Sequence, residues 1–195
     1  MNIYFVRHGI TDWNLQRRAQ GLEEVPLNEG GILQAHACGE QLQGLSVDYI
    51  VSSPLGRAVQ TAEIVGSYLG INDVHTMEQF TERDFGRLSG LTKEEADVLR
   101  ASGEDMLVES KESVAERCRR GVEELYQRFG AESILVVTHG GLIRSLLRDI
   151  MDEKDVPEFL INCGVSLVHY EEGEMQAGLL NLPADVFLRE YKKRV

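Results

Sequence analysis

Three cysteines are all that this 195-residue sequence carries, Cys38, Cys118 and Cys163. They are odd in number and far apart, with no CxxC pair and no zinc-knuckle spacing. They read as free packed thiols, which suit a reducing compartment. Long apolar runs are missing too: none approaches the roughly 20 residues of a membrane span. The opening run Met1–Val6 stops at Arg7, too short for a signal-peptide core. The expectation is a cytoplasmic protein with no membrane partner. Positive charge is the next shortage. Twenty Lys and Arg against 32 Asp and Glu leave a net charge of −12, a field that repels polyanions and argues against nucleic acid as a partner. Proline is sparse, and repeats, low-complexity tracts and linkers are absent. Asp84-Phe85-Gly86 spells a kinase tripeptide, but the glycine-rich loop, strand lysine and HRD motif that give it meaning are lacking, and there is no Walker motif.

What is present is an alternation of short apolar runs with amphipathic stripes. Ile3–Val6, Tyr49–Ser52 and Ile134–Val137 are apolar without alternation, the pattern of strands buried on both faces. Leu55, Val59, Ala62, Val65 and Leu69 recur at helical steps, as do Val114, Cys118, Val122, Leu125 and Phe129. Leu142-Ile143, Leu146-Leu147 and Ile150 mark a third helix. Val165 to Glu171 alternates, Glu172-Gly173 offers a turn, and Met175 to Leu180 returns as a hairpin. Strands alternating with helices predict an α/β fold with a mostly parallel sheet, in which ligands sit at the carboxyl ends of the strands. The length fits one domain, residues 1–195.

That rule directs attention to the residues just past each run. His8 follows the first, beside Arg7, and Gly9 lets the backbone pass closely. A neutral imidazole is a competent nucleophile toward phosphorus. Ser53 suits a helix N-cap and Pro54 the first helical position, which puts Arg57 about one turn in, near the positive end of the helix. Its guanidinium matches phosphate oxygens two at a time. His139 opens another strand–turn–helix unit, where it can stabilise charge developing on a transferring group. Gly140-Gly141 leaves backbone N–H groups free to face an anion. Taken singly, each has a plainer reading, a satisfied histidine at a strand end or a surface arginine on a helix. Their common edge favours the chemical one. A leaving alkoxide needs a proton donor. Glu82 is the candidate, although 32 acidic residues offer many alternatives. No cluster of metal ligands stands out: Asp149, Asp152 and Asp155 read as solvated carboxylates around a helix end, and His36, His75 and His169 lack a partner pattern.

Several strings, taken in order, carry a family resemblance. RHGITDWN at Arg7–Asn14 resembles the RHGxTxxN signature of the histidine phosphatase superfamily, the phosphoglycerate mutase-like proteins. Gln20-Gly21 and Pro26-Leu27-Asn28 through Gln34-Ala35 resemble its PLTxxGxxQA stretch, with Asn28 in place of the usual Thr. SSPLGRAVQTA, ERDFG and VTHGG resemble its second arginine motif, the ERHYG of the mutases and its second histidine motif. The likeness spans roughly residues 1 to 170. It implies a three-layer α/β/α sandwich with a mixed sheet, and chemistry that needs no metal or other cofactor. It implies that His8 becomes a phosphohistidine, with Arg7, Arg57 and His139 forming the phosphate pocket and Glu82 acting as proton donor and later as base. Asn14 adds a polar contact, and Gly9, Thr11, Gln20, Gly21 and Gly140 fall within the matched motifs as substrate-binding positions.

The reading is therefore a histidine acid phosphatase-type enzyme that hydrolyses a small phosphorylated metabolite. Cofactor-dependent phosphoglycerate mutases resemble the chain but have a longer insertion with paired arginines. Here the lid, about residues 83–111, is short, and its Arg100–Lys111 part is acidic. Arg83 and Lys93 stand where the mutases place cations, which keeps the mutase as an alternative and predicts a substrate with a carboxylate or second phosphate. A non-catalytic protein that binds a phosphate ligand is a further alternative. The stretch Phe187–Val195 is expected to pack on the domain or on a second subunit, so a homodimer is one expectation.

Overall fold

In the computed structural model, which describes residues 1–130 and 133–194, the apolar runs become the centre of one sheet. Strand β1 (Asn2–Arg7) leads through a short helix α1 (Asp12–Leu15) to helix α2 (Glu29–Gln41). Strand β2 (Tyr49–Ser52), helix α3 (Gly56–Leu69) and strand β3 (Val74–Thr76) follow. Helices α4 (Lys93–Ala101) and α5 (Lys111–Phe129) precede strand β4 (Ser133–Thr138) and helix α6 (Gly140–Ile150). A hairpin of β5 (Val165–Glu171) and β6 (Glu174–Ala177) and helix α7 (Ala184–Tyr191) complete the order. Val195, the last residue of the expected C-terminal packing segment, lies outside the described residues.

The sheet runs β3-β2-β4-β1-β5-β6. β1, β2, β3 and β4 are mutually parallel neighbours, and the hairpin adds an antiparallel edge, so the sheet is mixed and mostly parallel. Alternate side chains of β1 serve opposite faces, as the pleat requires. Tyr4 and Val6 join Ala35, Cys38, Ala58, Ala62, Val65 and Phe187 beneath α2, α3 and α7. Ile3 and Phe5 join Val114, Cys118, Val122, Leu142 and Leu146 beneath α5 and α6. This is the three-layer α/β/α sandwich. Tyr4 meets Phe187 and Tyr191 edge-on at 5.8 and 5.7 Å, so α7 packs on the domain.

One boundary departs from the expectation. Helix α3 starts at Gly56, capped by the backbone of Leu55 with no side-chain bond. Ser53 is not its cap, because its Oγ is committed to His139 (2.7 Å) and to the Leu55 N–H (3.3 Å). Within the 83–111 segment, Thr92 and Glu95 form a capping box that starts α4. Asn28 caps α2 through the Gly31 N–H at 2.9 Å, doing there what a threonine would do.

Candidate active site

Because β2, β4 and β1 are parallel neighbours, their carboxyl ends fall on one edge, and the residues just beyond them meet there. The ladder continues one step past the strands: the His8 N–H donates to the Thr138 carbonyl at 2.9 Å, and the Ser53 N–H to that of Val137 at 2.9 Å. His8 and His139 come to 5.2 Å between ring centroids.

His8 is buried, and its Nδ1 lies 2.7 Å from the Gly9 carbonyl oxygen. A carbonyl can only accept, so Nδ1 carries the proton and Nε2 keeps a free lone pair. The backbone around it is pinned. The Gly9 N–H donates to Thr61 Oγ1 at 3.1 Å, and Asn162 Nδ2 donates to the His8 carbonyl at 2.9 Å. A side chain at position 9 would put its Cβ 2.5 Å from the Gly31 carbonyl oxygen, so Gly9 is required by the close approach of α2. Burial, with the charges of Arg7 and Arg57 adding to it, holds His8 well below the ordinary 6.5. Burial, then His8 and the arginines, does the same to His139. Both imidazoles are neutral at neutral pH.

The cations are few but concentrated. Arg57 is fully buried and donates to the Glu23 and Gly21 carbonyls at 2.7 and 2.8 Å. Arg7 donates to the Leu160 carbonyl. Burial lowers both guanidinium pKa values, which the negative charge of Glu82 partly offsets. Arg7 Nε, Arg57 Nε and His139 Nδ1 are buried without a hydrogen-bond partner. An unsatisfied buried donor costs about 1–3 kcal/mol, so the two guanidinium N–H groups favour an anion that can accept from them.

Glu82 sits at the amino end of α6. Its Oε1 accepts from the Arg83 and Leu142 N–H groups at 2.8 and 3.0 Å, and its Oε2 from the Gly141 N–H at 3.1 Å. A Cβ at position 141 would collide with this carboxylate. Oε2, with one bond, has the freer lone pairs. The segment bearing Glu82 is fastened from α5: Arg117 donates to the carbonyls of Gln79, Thr81 and Glu82 at 2.9, 2.7 and 2.9 Å and pairs with Glu109 at 3.0 Å.

These groups face a cleft of about 240 Å³. Arg7, His8, Asn14, Gln20, Glu82 and Gly140 line it, as the sequence reading placed them together. Arg57 and His139 are outside the lining and fully buried, His139 beside His8. Thr11 and Gly21 support from outside the cleft wall. Thr11 caps α1 and donates to Gln20 at 3.0 Å, and Gly21 offers its carbonyl to Arg57. Arg83 and Lys93 do not line the cleft. Arg83 donates through Nε to the Glu109 carbonyl at 2.6 Å and stacks over Phe85, while Lys93 is exposed at the start of α4. Instead the wall holds Arg18, Arg144 and Phe85, with Glu158, Phe159 and Leu160 from the chain before β5. Arg144 was within reach of helical spacing, four residues past Gly140. The 158–162 stretch carries no local signal, because the topology alone delivers it to β1. Among the described residues no group of three or more His, Cys, Asp or Glu side chains is placed to hold a metal ion. No helix among them is long and apolar enough to cross a membrane.

Comparison with known proteins adds four likenesses. The family model described as "Histidine phosphatase superfamily (branch 1)" matches residues 3–183. The "Uncharacterized phosphatase PhoE" of Bacillus subtilis is 37% identical over 172 residues, covering 87% of this chain and 89% of that one. "Phosphoglycerate mutase-like protein 4" of Arabidopsis thaliana is 32% identical over 185 residues, covering 88% and 80%. Among solved structures, YhfR of Bacillus stearothermophilus superposes with a TM-score of 0.83 at 26% identity, covering 93% of this chain and 96% of that one.

Proposed function

The chain belongs to the histidine phosphatase superfamily, branch 1, and from that footing we propose that it hydrolyses a small phosphomonoester through a covalent intermediate on His8. The observation that carries this is the His8 ring itself. It is neutral, fixed by the Gly9 carbonyl in the tautomer with Nε2 free, and lines the cleft beside Arg7. His8 Nε2 attacks phosphorus and forms a P–N bond while the bond to the ester oxygen breaks. Glu82 protonates the departing oxygen. The resulting carboxylate then takes a proton from the water that attacks the phosphohistidine, and inorganic phosphate and free His8 are regenerated. Arg7, Arg57 and His139 stabilise charge on the non-bridging oxygens from fixed positions. The charge is handled by protein groups, so the reading needs no metal.

Hydrolysis is preferred to phosphoryl exchange between hydroxyls of one metabolite because the cations that favoured a mutase, Arg83 and Lys93, do not line the cleft. The deciding experiment is inorganic phosphate release from a panel of phosphomonoesters in excess EDTA, comparing the unaltered protein with His8→Ala. Release that persists in EDTA and is lost in the variant is expected. Interconversion of phosphoglycerates on adding the bisphosphate, without phosphate release, would establish the mutase instead.

A further inference from the structure

On the outer wall of the cleft two arginines stand apart from the phosphate pocket. Arg18 is engaged, donating to the Gly90 carbonyl at 2.6 Å and pairing with Glu95 at 2.9 Å. Arg144 is not. Its side chain makes no hydrogen bond or ion pair to the described residues, and its Nε is buried without a partner. Its neighbour one turn on, Arg148, is paired with Glu153 at 3.2 Å. Side chains on a helix lean toward the amino end, so Arg144 reaches back toward Gly140 and Gly141, which line the cleft. Three to four residues along a helix is about 4.5–6 Å of rise. Phe85, Phe159 and Leu160 give the same cleft an apolar side, and Glu158, whose charge is felt by Arg144 without a hydrogen bond or ion-pair contact, shares its outer rim. A half-buried guanidinium with no hydrogen-bond partner among the described residues, one turn from the phosphate pocket, is placed to receive a second negative group.

Resting on the phosphatase reading, we propose that Arg144 is the specificity-determining residue and that the substrate class is a small phosphomonoester with a short carbon skeleton ending in a second anion, a carboxylate or another phosphate. The guanidinium fork binds either group through two charge-assisted hydrogen bonds. The skeleton passes along the apolar side.

The test compares kcat/KM for three esters: 3-phosphoglycerate, a hexose bisphosphate, and glycerol 3-phosphate, whose far end is neutral. The unaltered protein is expected to favour one of the first two over the third. Arg144→Gln should collapse that ratio by about 10- to 100-fold, in KM more than in kcat, as loss of charged hydrogen bonds implies. Arg144→Lys should restore part of it. The ratio is measured within each preparation, so partial misfolding leaves it intact. Whether the carboxylate or the bisphosphate ester is preferred assigns the second anion. A ratio unchanged in Arg144→Gln overturns the proposal while leaving the phosphatase standing. If no ester is hydrolysed, the phosphatase reading fails, and calorimetric binding of the same three esters to His8→Ala and His8→Ala/Arg144→Gln decides. Tighter binding of an anion-bearing ester that depends on Arg144 supports the subsite, and equal binding of all three overturns it.

Discussion

At the scale of single residues, the site is arranged to keep imidazoles uncharged among cations. Burial is the main cause, with Arg7 and Arg57 reinforcing it. An NMR titration should therefore find the His8 ring still neutral as pH falls below the ordinary 6.5, and a His8 that titrates at 6.5 would contradict this environment. Ser53 holds His139 through one 2.7 Å contact to Nε2. Ser53→Ala removes that contact without adding bulk. It should lower kcat about 10-fold with little change in KM, since a neutral hydrogen bond of about 1 kcal/mol is lost and His139 is freed to rotate. Steady-state kinetics on the best ester of the panel checks the split.

At the scale of elements, α5 acts on the site without touching the cleft, through Arg117. Replacing it with Met strands the carbonyls of Gln79, Thr81 and Glu82 and the Glu109 carboxylate. The expected cost is about 2–3 kcal/mol, a fall in Tm of roughly 5–10 °C for a chain of this size, with a drop in kcat because Glu82 is no longer held. Thermal unfolding and kinetics together separate the two effects. The elements also show what a linear pattern can carry. β1, β2 and β4 were legible because a strand buried on both faces is a plain apolar run, and the hairpin because an alternating stretch ends at Glu172-Gly173, where the structure places a turn with positive φ at both residues, 48° and 93°. The strand-end residues His8 and His139 followed from that. The start of α3 was misplaced because Ser53, a good cap by type, is drawn to a histidine 86 residues further on. Arg83 and Lys93 were read as substrate-binding cations from their resemblance to mutase positions. Their true surroundings, the Glu109 carbonyl and open solvent, depend on how the 83–111 segment folds, which no local pattern expresses.

At the scale of the whole molecule, the two depressed histidines link catalysis to stability. Both are neutral in folded and unfolded chains well above pH 6.5, where their contribution to stability is complete. As pH falls through 6.5 the unfolded chain takes up protons first, so unfolding is favoured increasingly until the buried rings themselves titrate. Tm should decline between pH 7 and 5, before most carboxylates protonate, and a flat profile there would rule out this linkage. The sheet order has another consequence. β1, with His8 just past its end, is flanked by β4 and β5, both made much later in synthesis. Its apolar side chains can be covered only when the far half of the chain has emerged. His8 is thus synthesised before both strands that flank β1, and its ring takes up its buried place only once the sheet has closed around it.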